Sequence, residues 1–224
     1  TWREDEDDLA VLRSEESPSH QEPPHVVLAW RDLASGPSRT LQFDHRTHGD
    51  FPSDMRVVEH RSPSWAEDGS AIFFGVREWP EKPTDEEESI ANTEEVESDQ
   101  GKEEQVSISR ESDKEETEPA DVDVWHALDE RIIPMQKLQE QRDRAKSYVA
   151  VWHVDDDRFV QLGTDLDETI VLLNGQRHAT ETDRKSYIFD SMFGRRWFDV
   201  DLIDVATGER TRVVDRVRYF SGGS

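Results

Sequence analysis

The side chains best suited to chemistry in this sequence are its histidines and one run of three aspartates. His45 and His48 lie three residues apart in a stretch rich in Gly, Asp and Pro, a spacing that could bring two imidazoles to one metal ion. A zinc site also needs a third ligand and a fixed geometry. We favour a plain polar loop and assign no metal-binding residue. Asp155–Asp157 could bind calcium, but three acids between two strands more often form a solvated turn.

Two further histidines, His126 and His153, each follow the dipeptide Val-Trp. One interpretation is a pair of imidazoles lining a shared channel, and the one we favour is two outward-facing residues on neighbouring strands. Tryptophans recur at similar strand positions, and we expect them to pack between structural units rather than to stack on a ligand. No cofactor is predicted. These tryptophans are Trp2, Trp30, Trp65, Trp125, Trp152 and Trp197.

Composition excludes several classes of function. The 224 residues contain no cysteine, which rules out disulfides, cysteine-ligated zinc and a cysteine nucleophile. The net charge of −25 argues against nucleic acid and anionic membrane surfaces as partners. The sequence contains no apolar run of about 18 residues, so no membrane span is predicted.

The elements that must position these side chains appear as a repeat. Each copy of the repeat begins with Trp or Thr and has Asp three residues later. An apolar run starts seven residues after that Trp or Thr. Each copy predicts a strand, a tight acidic turn and a buried strand, and repetition at fixed offsets is typical of repeat architectures. The three copies are Trp2–Asp5 with Leu9–Val11, Trp65–Gly69 with Ile72–Phe74, and Thr180–Asp183 with Tyr187–Phe189.

A predicted β-hairpin follows each copy, with Gly or Asp in the turn between two apolar or β-branched runs. The hairpins are centred on Ala34–Gly36, Asp155–Asp157 and Ala206–Glu209. Four strands per unit make one propeller blade. We therefore predict an all-β chain, a partial β-propeller of about three four-stranded blades. The residues that define the repeat are Trp2, Asp5, Trp65, Asp68, Gly69, Trp125, Trp152 and Gly208.

One segment interrupts this pattern. Residues 81–118 hold 16 Asp/Glu and 4 Lys/Arg, a net charge of −12, with no aromatic residue. Such a segment buries too little apolar area to offset its chain entropy, so we predict a disordered acidic insertion over residues 80–119. Binding of a basic partner or divalent cations is the alternative. The blades then occupy residues 1–79 and 120–224, and helix formers after Pro134 predict a short helix near residues 135–145.

Several blocks resemble the N-terminal propeller of prolyl-oligopeptidase-type serine peptidases, especially dipeptidyl aminopeptidase and acylaminoacyl-peptidase relatives. The most specific are Asp121–His126, Pro134–Gln136 and Tyr148–Trp152. Ser64–Gly69 is similar to the Ser-Trp-Ser-Pro-Asp-Gly element of WD40-like and TolB-type repeats, with Glu67 in place of the proline. The resemblance covers about residues 1–79 and 120–224 and omits the acidic insertion.

The resemblance implies a non-catalytic segment of a longer peptidase, in which the propeller controls peptide access to a C-terminal α/β-hydrolase domain. The implied partners are that domain and, in the parent protein, a peptide substrate; a periplasmic or secreted location also fits the family. The family's nucleophile lies in a Gly-x-Ser-x-Gly elbow. Neither Ser35–Ser38 nor Gly222–Ser224 completes this motif, so no catalytic residue is assigned.

The alternative function is a non-enzymatic propeller of the TolB or WD40-like kind that binds another protein, and a plainer one is a free-standing sensor or structural β-domain. Because three blades do not close a ring of four to eight, we expect the chain alone to be poorly soluble or oligomeric.

Overall fold

A computed structural model describes residues 1–4, 6–16, 22–36, 40–79, 143–192 and 194–220. In these residues the backbone forms three antiparallel sheets. The first sheet has the strand order β1-β2-β3, and an isolated bridge joins Trp2 to Leu9 beside β1. A single 3₁₀ turn, Leu33–Ser35, connects β2 to β3. The strands of this sheet are β1 (Leu9–Ser14), β2 (His25–Trp30) and β3 (Leu41–Phe43).

The second sheet is four strands wide, although five strands build it. β4 and β5 pair in succession along the same edge of the long β6, and β7 and β8 continue the sheet on the other side. All pairs are antiparallel. The strands are β4 (Met55–Val58), β5 (Ser64–Trp65), β6 (Ala71–Glu78), β7 (Tyr148–His153) and β8 (Arg158–Gln161).

The third sheet is an antiparallel meander in chain order, with β9 and β12 at its edges. Between β10 and β11 the chain makes a 3₁₀ turn, Lys185–Tyr187, and then one short helix, α1 (Ile188–Met192). No helix among the described residues is long and apolar enough to cross a membrane. The strands are β9 (Thr169–Leu172), β10 (His178–Asp183), β11 (Phe198–Asp204) and β12 (Arg210–Val217).

The three sheets stack face to face, with the second sheet in the middle. Side chains alternate across a strand, so Phe74 of β6 points to the first sheet and its neighbour Phe73 points to the third. In β7, Trp152 likewise points to the first sheet and Val151 to the third. Burial on both faces explains why β6 and β7 are almost continuously apolar.

The core between the first and second sheets is rich in aromatic side chains. The Phe43 ring lies 5.2 Å from Phe74 and 5.7 Å from Trp152, measured between centroids. Phe51 and Phe159 pack at 4.8 Å beside them. The core between the second and third sheets is mainly aliphatic. It contains Phe73, Val149, Val151, Leu162, Ala179, Ile203 and Val205.

The turns at one end of the stack define what we call the hairpin end. It carries the β5–β6, β7–β8, β9–β10 and β11–β12 turns, at residues 66–70, 154–157, 173–177 and 205–209. The opposite end, where the chain passes from β8 to β9 and from β10 to β11, is the crossover end. The three predicted hairpins are confirmed, since β2–β3, β7–β8 and β11–β12 are antiparallel neighbours.

The third copy of the repeat was predicted wrongly. Thr180–Asp183 lies within β10 rather than in a turn, and the apolar triplet Tyr187–Phe189 starts a helix rather than a buried strand. A run of three apolar residues has no period that distinguishes a strand from a helix. The prediction that Trp2 packs between units is also wrong, because its side chain is 57% exposed.

Other predictions concern residues outside those described. They are Asp5, Trp125, His126 and the acidic insertion over residues 80–119. The predicted helix near residues 135–145 also falls there, apart from residues 143–145.

Candidate functional site

The hairpin turns of the second and third sheets enclose a cleft of about 340 Å³. Its floor is apolar, with Ala71, Phe73 and Val205, while its rim is polar. Because each turn contributes side chains from a different hairpin, the cleft exists only when the two sheets are stacked. The polar lining residues are Asp68, Ser70, His153, Gln176, Arg177, His178 and Asp204.

One wall of the cleft is the turn that the sequence repeat predicted. Asp68 Oδ1 accepts hydrogen bonds from the Ser70 backbone N–H at 2.9 Å and from the Ser70 hydroxyl at 2.6 Å. These bonds lower the pKa of Asp68, the hydroxyl bond most. Gly69 has a φ of +72°, and a Cβ there would lie 2.9 Å from the Arg3 guanidinium. Asp and Gly at these positions therefore shape the turn.

The β11–β12 turn forms the opposite wall in a similar way. Asp204 Oδ1 accepts hydrogen bonds from the backbone N–H groups of Ala206 (2.8 Å) and Thr207 (3.0 Å). Gly208 has a φ of +75° and donates its N–H to the Asp204 carbonyl oxygen at 2.7 Å. Both carboxylates of the cleft thus hold turns in place.

His153 lies at the back of the cleft, half-buried. Its Nε2 lies 3.2 Å from the Val205 carbonyl oxygen, so Nε2 carries the proton and donates it across the two sheets. Burial lowers the pKa of His153, and the neutral imidazole is the form that the site favours. The favoured prediction of an outward-facing residue missed this inter-sheet contact.

The cleft does not form a nucleophile site. Its serine hydroxyl, on Ser70, donates to Asp68 rather than to an imidazole, and activation of a serine nucleophile requires an adjacent base. Arg177 forms no ion pair with the described residues and faces the opening. The chemistry available is hydrogen bonding through His153, His178 and Arg177, which suits binding of a polar group more than bond cleavage.

The remaining repeat tryptophans stabilise the stack. Trp65 and Trp152 are buried between the first and second sheets, and the Trp152 indole donates to Asp157 Oδ1 at 2.9 Å. Arg31 ties the two sheets together at the hairpin end by donating to the Gly69 carbonyl oxygen and to Asp155 Oδ1, both at 2.8 Å. Asp155 of the β7–β8 turn therefore makes an inter-sheet contact, while all three aspartates of this turn are exposed, as predicted.

His45 and His48 do not converge. The His45 ring packs 5.6 Å from Phe51 and 6.1 Å from Trp79, between centroids, whereas His48 Nε2 lies 2.8 Å from the Asp157 carbonyl oxygen. Among the described residues, no group of three or more His, Cys, Asp or Glu side chains could hold a metal ion.

A buried charged cluster, which sequence reasoning did not predict, joins the third sheet to the end of β8. Arg210 Nε donates to Glu181 Oε2 at 2.9 Å, and a second Arg210 nitrogen donates to the Leu162 carbonyl oxygen. Burial, followed by the adjacent Glu168 carboxyl, raises the pKa of Glu181 to about 7. Glu181 therefore takes up a proton more readily than an ordinary carboxyl group, since like charges at close range do not both ionise readily.

A second arginine extends this cluster. Arg212 donates to Asp201 Oδ1 at 2.7 Å and to Asp199 Oδ2 at 2.6 Å, while the Tyr187 hydroxyl donates to Asp199 Oδ1 at 2.7 Å. Side chains alternate between the two faces of a strand, so Asp199 and Asp201 lie on the same face of β11 as the buried Ile203. The two-residue spacing of these aspartates from an apolar strand residue could have predicted that their carboxylates are buried.

Comparison of the chain with known protein families, with curated proteins and with solved structures gave no match in any of the three.

Proposed function

We propose that this chain is a non-catalytic β-propeller segment of a serine peptidase of the prolyl-oligopeptidase type. In this proposal the three sheets are successive blades, and the complete propeller controls peptide access to an α/β-hydrolase domain of the parent protein.

The observation that carries the proposal is the way in which one sheet follows the next. The second and third sheets are each four strands wide and antiparallel, and the chain passes from β8 at the edge of one to β9 at the edge of the next through residues 162–168. The sheets pack face to face along both sides of the second sheet. Four-stranded units stacked in chain order are the arrangement of propeller blades.

The repeat residues support the same interpretation. Asp68 and Gly69 form the turn between β5 and β6 of the second sheet, and Gly208 forms the turn between β11 and β12 of the third. Their contribution is to blade geometry, which fits a scaffold whose chemistry lies in another domain. The family assignment itself depends on the resemblance of Tyr148–Trp152 and the other blocks named above.

The test is to label the native protein in a lysate of its source organism with a fluorophosphonate, which reacts with activated serine nucleophiles. The tryptic peptide Trp197–Arg210 identifies the polypeptide by mass spectrometry. We expect that peptide to come from a labelled polypeptide much heavier than 26.0 kDa, with labelling abolished by prior heating.

A polypeptide that contains Trp197–Arg210 and stays unlabelled would overturn the peptidase proposal. If that polypeptide also co-purified with a stable protein partner, the non-enzymatic binding propeller would replace it.

A further inference from the structure

The crossover end of the third sheet carries a group of exposed arginines around aromatic rings, here called the arginine patch. It combines the β10–β11 connection with the end of β12. Its members are Arg184, Arg195, Arg196, Trp197, Phe198, Arg216 and Arg218.

Three of the five guanidinium groups of the patch lie over aromatic rings. The central carbon of Arg218 lies 4.4 Å from the Trp197 ring centroid, and that of Arg216 lies 5.1 Å from it. Arg184 lies over the Phe198 ring at 5.8 Å. Stacking fixes the plane of a guanidinium and leaves its N–H edge available to carboxylates or phosphates.

The arginines of the patch differ in their ion pairing from several other cations of the third sheet. None of its five arginines forms an ion pair with a described residue, and all five are exposed. Other cations of the third sheet and its connections form such pairs: Lys185 pairs with Asp165, Arg210 with Glu181, and Arg212 with three aspartates. The patch therefore presents positive charge on a molecule whose net charge is −25.

Exposed apolar side chains lie near these arginines along the chain. Phe189 of α1 is 69% exposed, and Tyr219, which follows Arg218, is 91% exposed. A polypeptide can contact both kinds of group, whereas a small inorganic anion engages only the arginines.

The chain itself contains a segment of complementary charge, residues 81–118, with a net charge of −12. The chain leaves the second sheet at Glu78 and returns to it at Tyr148, both at the crossover end. Lys146 pairs with Asp167 in the β8–β9 connection, and Asp165 of that connection pairs with Lys185, the neighbour of Arg184. Ion pairs through the β8–β9 connection thus link Lys146, just before β7, to Lys185 at the edge of the patch.

We propose that residues 81–118 bind the arginine patch of the same molecule. Packed sheets lie about 10 Å apart, and an extended chain covers about 3.3 Å per residue, so the segment reaches the neighbouring sheet easily. A tethered segment acts at an effective concentration in the millimolar range. It therefore outcompetes a free acidic peptide, and the remaining negative charge of the molecule repels nucleic acid. This inference does not depend on the proposed peptidase function.

The absence of cysteine allows a direct test in the whole chain. A nitroxide spin label is placed on the variant Ser107→Cys, and the indole N–H signals of the tryptophans are recorded by NMR. We expect the Trp197 signal to lose most of its intensity, while that of Trp30, at the hairpin end, keeps its intensity. The loss should disappear in about 0.5 M NaCl, where screening confines charge interactions to a few Å.

Two matched pairs of substitutions test the contact residues. Arg195→Ser with Arg196→Ser should restore the Trp197 signal, because it removes two unpaired charges of the patch. Arg13→Ser with Arg46→Ser removes the same charge from arginines that pair with Glu15 and should leave the signal weakened. A Trp197 signal unaffected by the label overturns the proposal. So does a loss that survives the patch variant, or one that vanishes on dilution, which identifies contact between separate molecules.

Discussion

At the scale of single residues, Glu181 shows how burial sets the charge of a side chain. Its side chain is 3% exposed, and Arg210 and Glu168 are its charged neighbours. A carboxyl group whose pKa is raised on folding contributes stability at low pH and loses that contribution as pH rises through the folded-state pKa. Here that loss falls between the ordinary value of 4.5 and about 7.

The variant Glu181→Gln keeps the shape of the side chain but does not ionise. We expect its free energy of unfolding, relative to that of the wild type, to increase by roughly 2–3 kcal/mol as pH rises from about 5 to about 8. Chemical denaturation at several pH values measures this difference. The control Glu209→Gln changes an exposed glutamate and should show no such trend. A pH-independent difference for Glu181→Gln would contradict the raised pKa of Glu181.

Gly208 is a position where both backbone conformation and space require glycine. Its φ is +75°, and an added Cβ would lie 3.0 Å from Val160 Cγ1. Gly175 has nearly the same φ, +70°, with no atom within 4 Å of the added carbon. We expect Gly175→Ala to cost about 1 kcal/mol from the left-handed backbone alone. Gly208→Ala should cost about 2–3 kcal/mol, since overpacking adds to it. Equal losses in thermal denaturation would show that Val160 moves aside freely.

At the scale of elements, β6 is the strand on which the architecture depends. It pairs with β4, β5 and β7, and its two faces supply residues to both cores. A strand of a sheet with one solvated face would alternate apolar and polar residues, whereas the stretch Ala71–Val76 is buried throughout.

Truncation of adjacent residues on β6 tests this two-sided burial. Phe73→Ala and Phe74→Ala should each reduce the free energy of unfolding by about 3–5 kcal/mol, although the two rings face opposite sheets. The control Val213→Ala, at a side chain that is 57% exposed, should change it by less than about 0.5 kcal/mol. Denaturant titrations of the three variants make the comparison. A small effect of Phe73→Ala would mean that the third sheet does not pack firmly on the second.

The elements also show how far the sequence predicts this structure. Turn chemistry predicted the hairpins correctly, because Gly208 and the Asp68–Gly69 pair favour turns through local backbone preferences. The third copy of the repeat was wrong, since Thr180 and Thr182 are polar residues that also suit a strand. The Glu168–Glu181–Arg210 cluster depends on contacts between distant parts of the chain, and no local pattern predicts the raised pKa of Glu181. His153 gave no local sign of its contact with Val205.

At the scale of the whole molecule, the second sheet couples the other two. Among the residues that the structure describes, the first sheet shares its core with one face of the second sheet, and the third sheet shares its core with the other face. Arg31 and His153 add polar contacts across the two interfaces at the hairpin end. Unfolding of the second sheet therefore exposes both cores at once.

Because the second sheet contributes to both cores, we expect a cavity in one core to lower the stability of the sheet that packs on the other core. In Phe73→Ala, whose cavity lies between the second and third sheets, hydrogen exchange should accelerate in β2 of the first sheet as well as in β11 of the third. Hydrogen–deuterium exchange with mass spectrometry reports both strands. Unchanged protection in β2 would show instead that the sheets open one at a time, as in repeat proteins with weak coupling between units.

The pairing of β6 with β7 also determines how the molecule tolerates a broken backbone. Ala71–Val76 and Tyr148–His153 pair at six positions, and the Tyr148 hydroxyl donates to Glu78 Oε1 at 2.6 Å. A peptide bond cleaved between residues 80 and 142 interrupts none of these contacts. We therefore expect residues 1–79 and 80–224, expressed separately and each fused to half of a reporter, to reassemble through a strand pair buried on both faces.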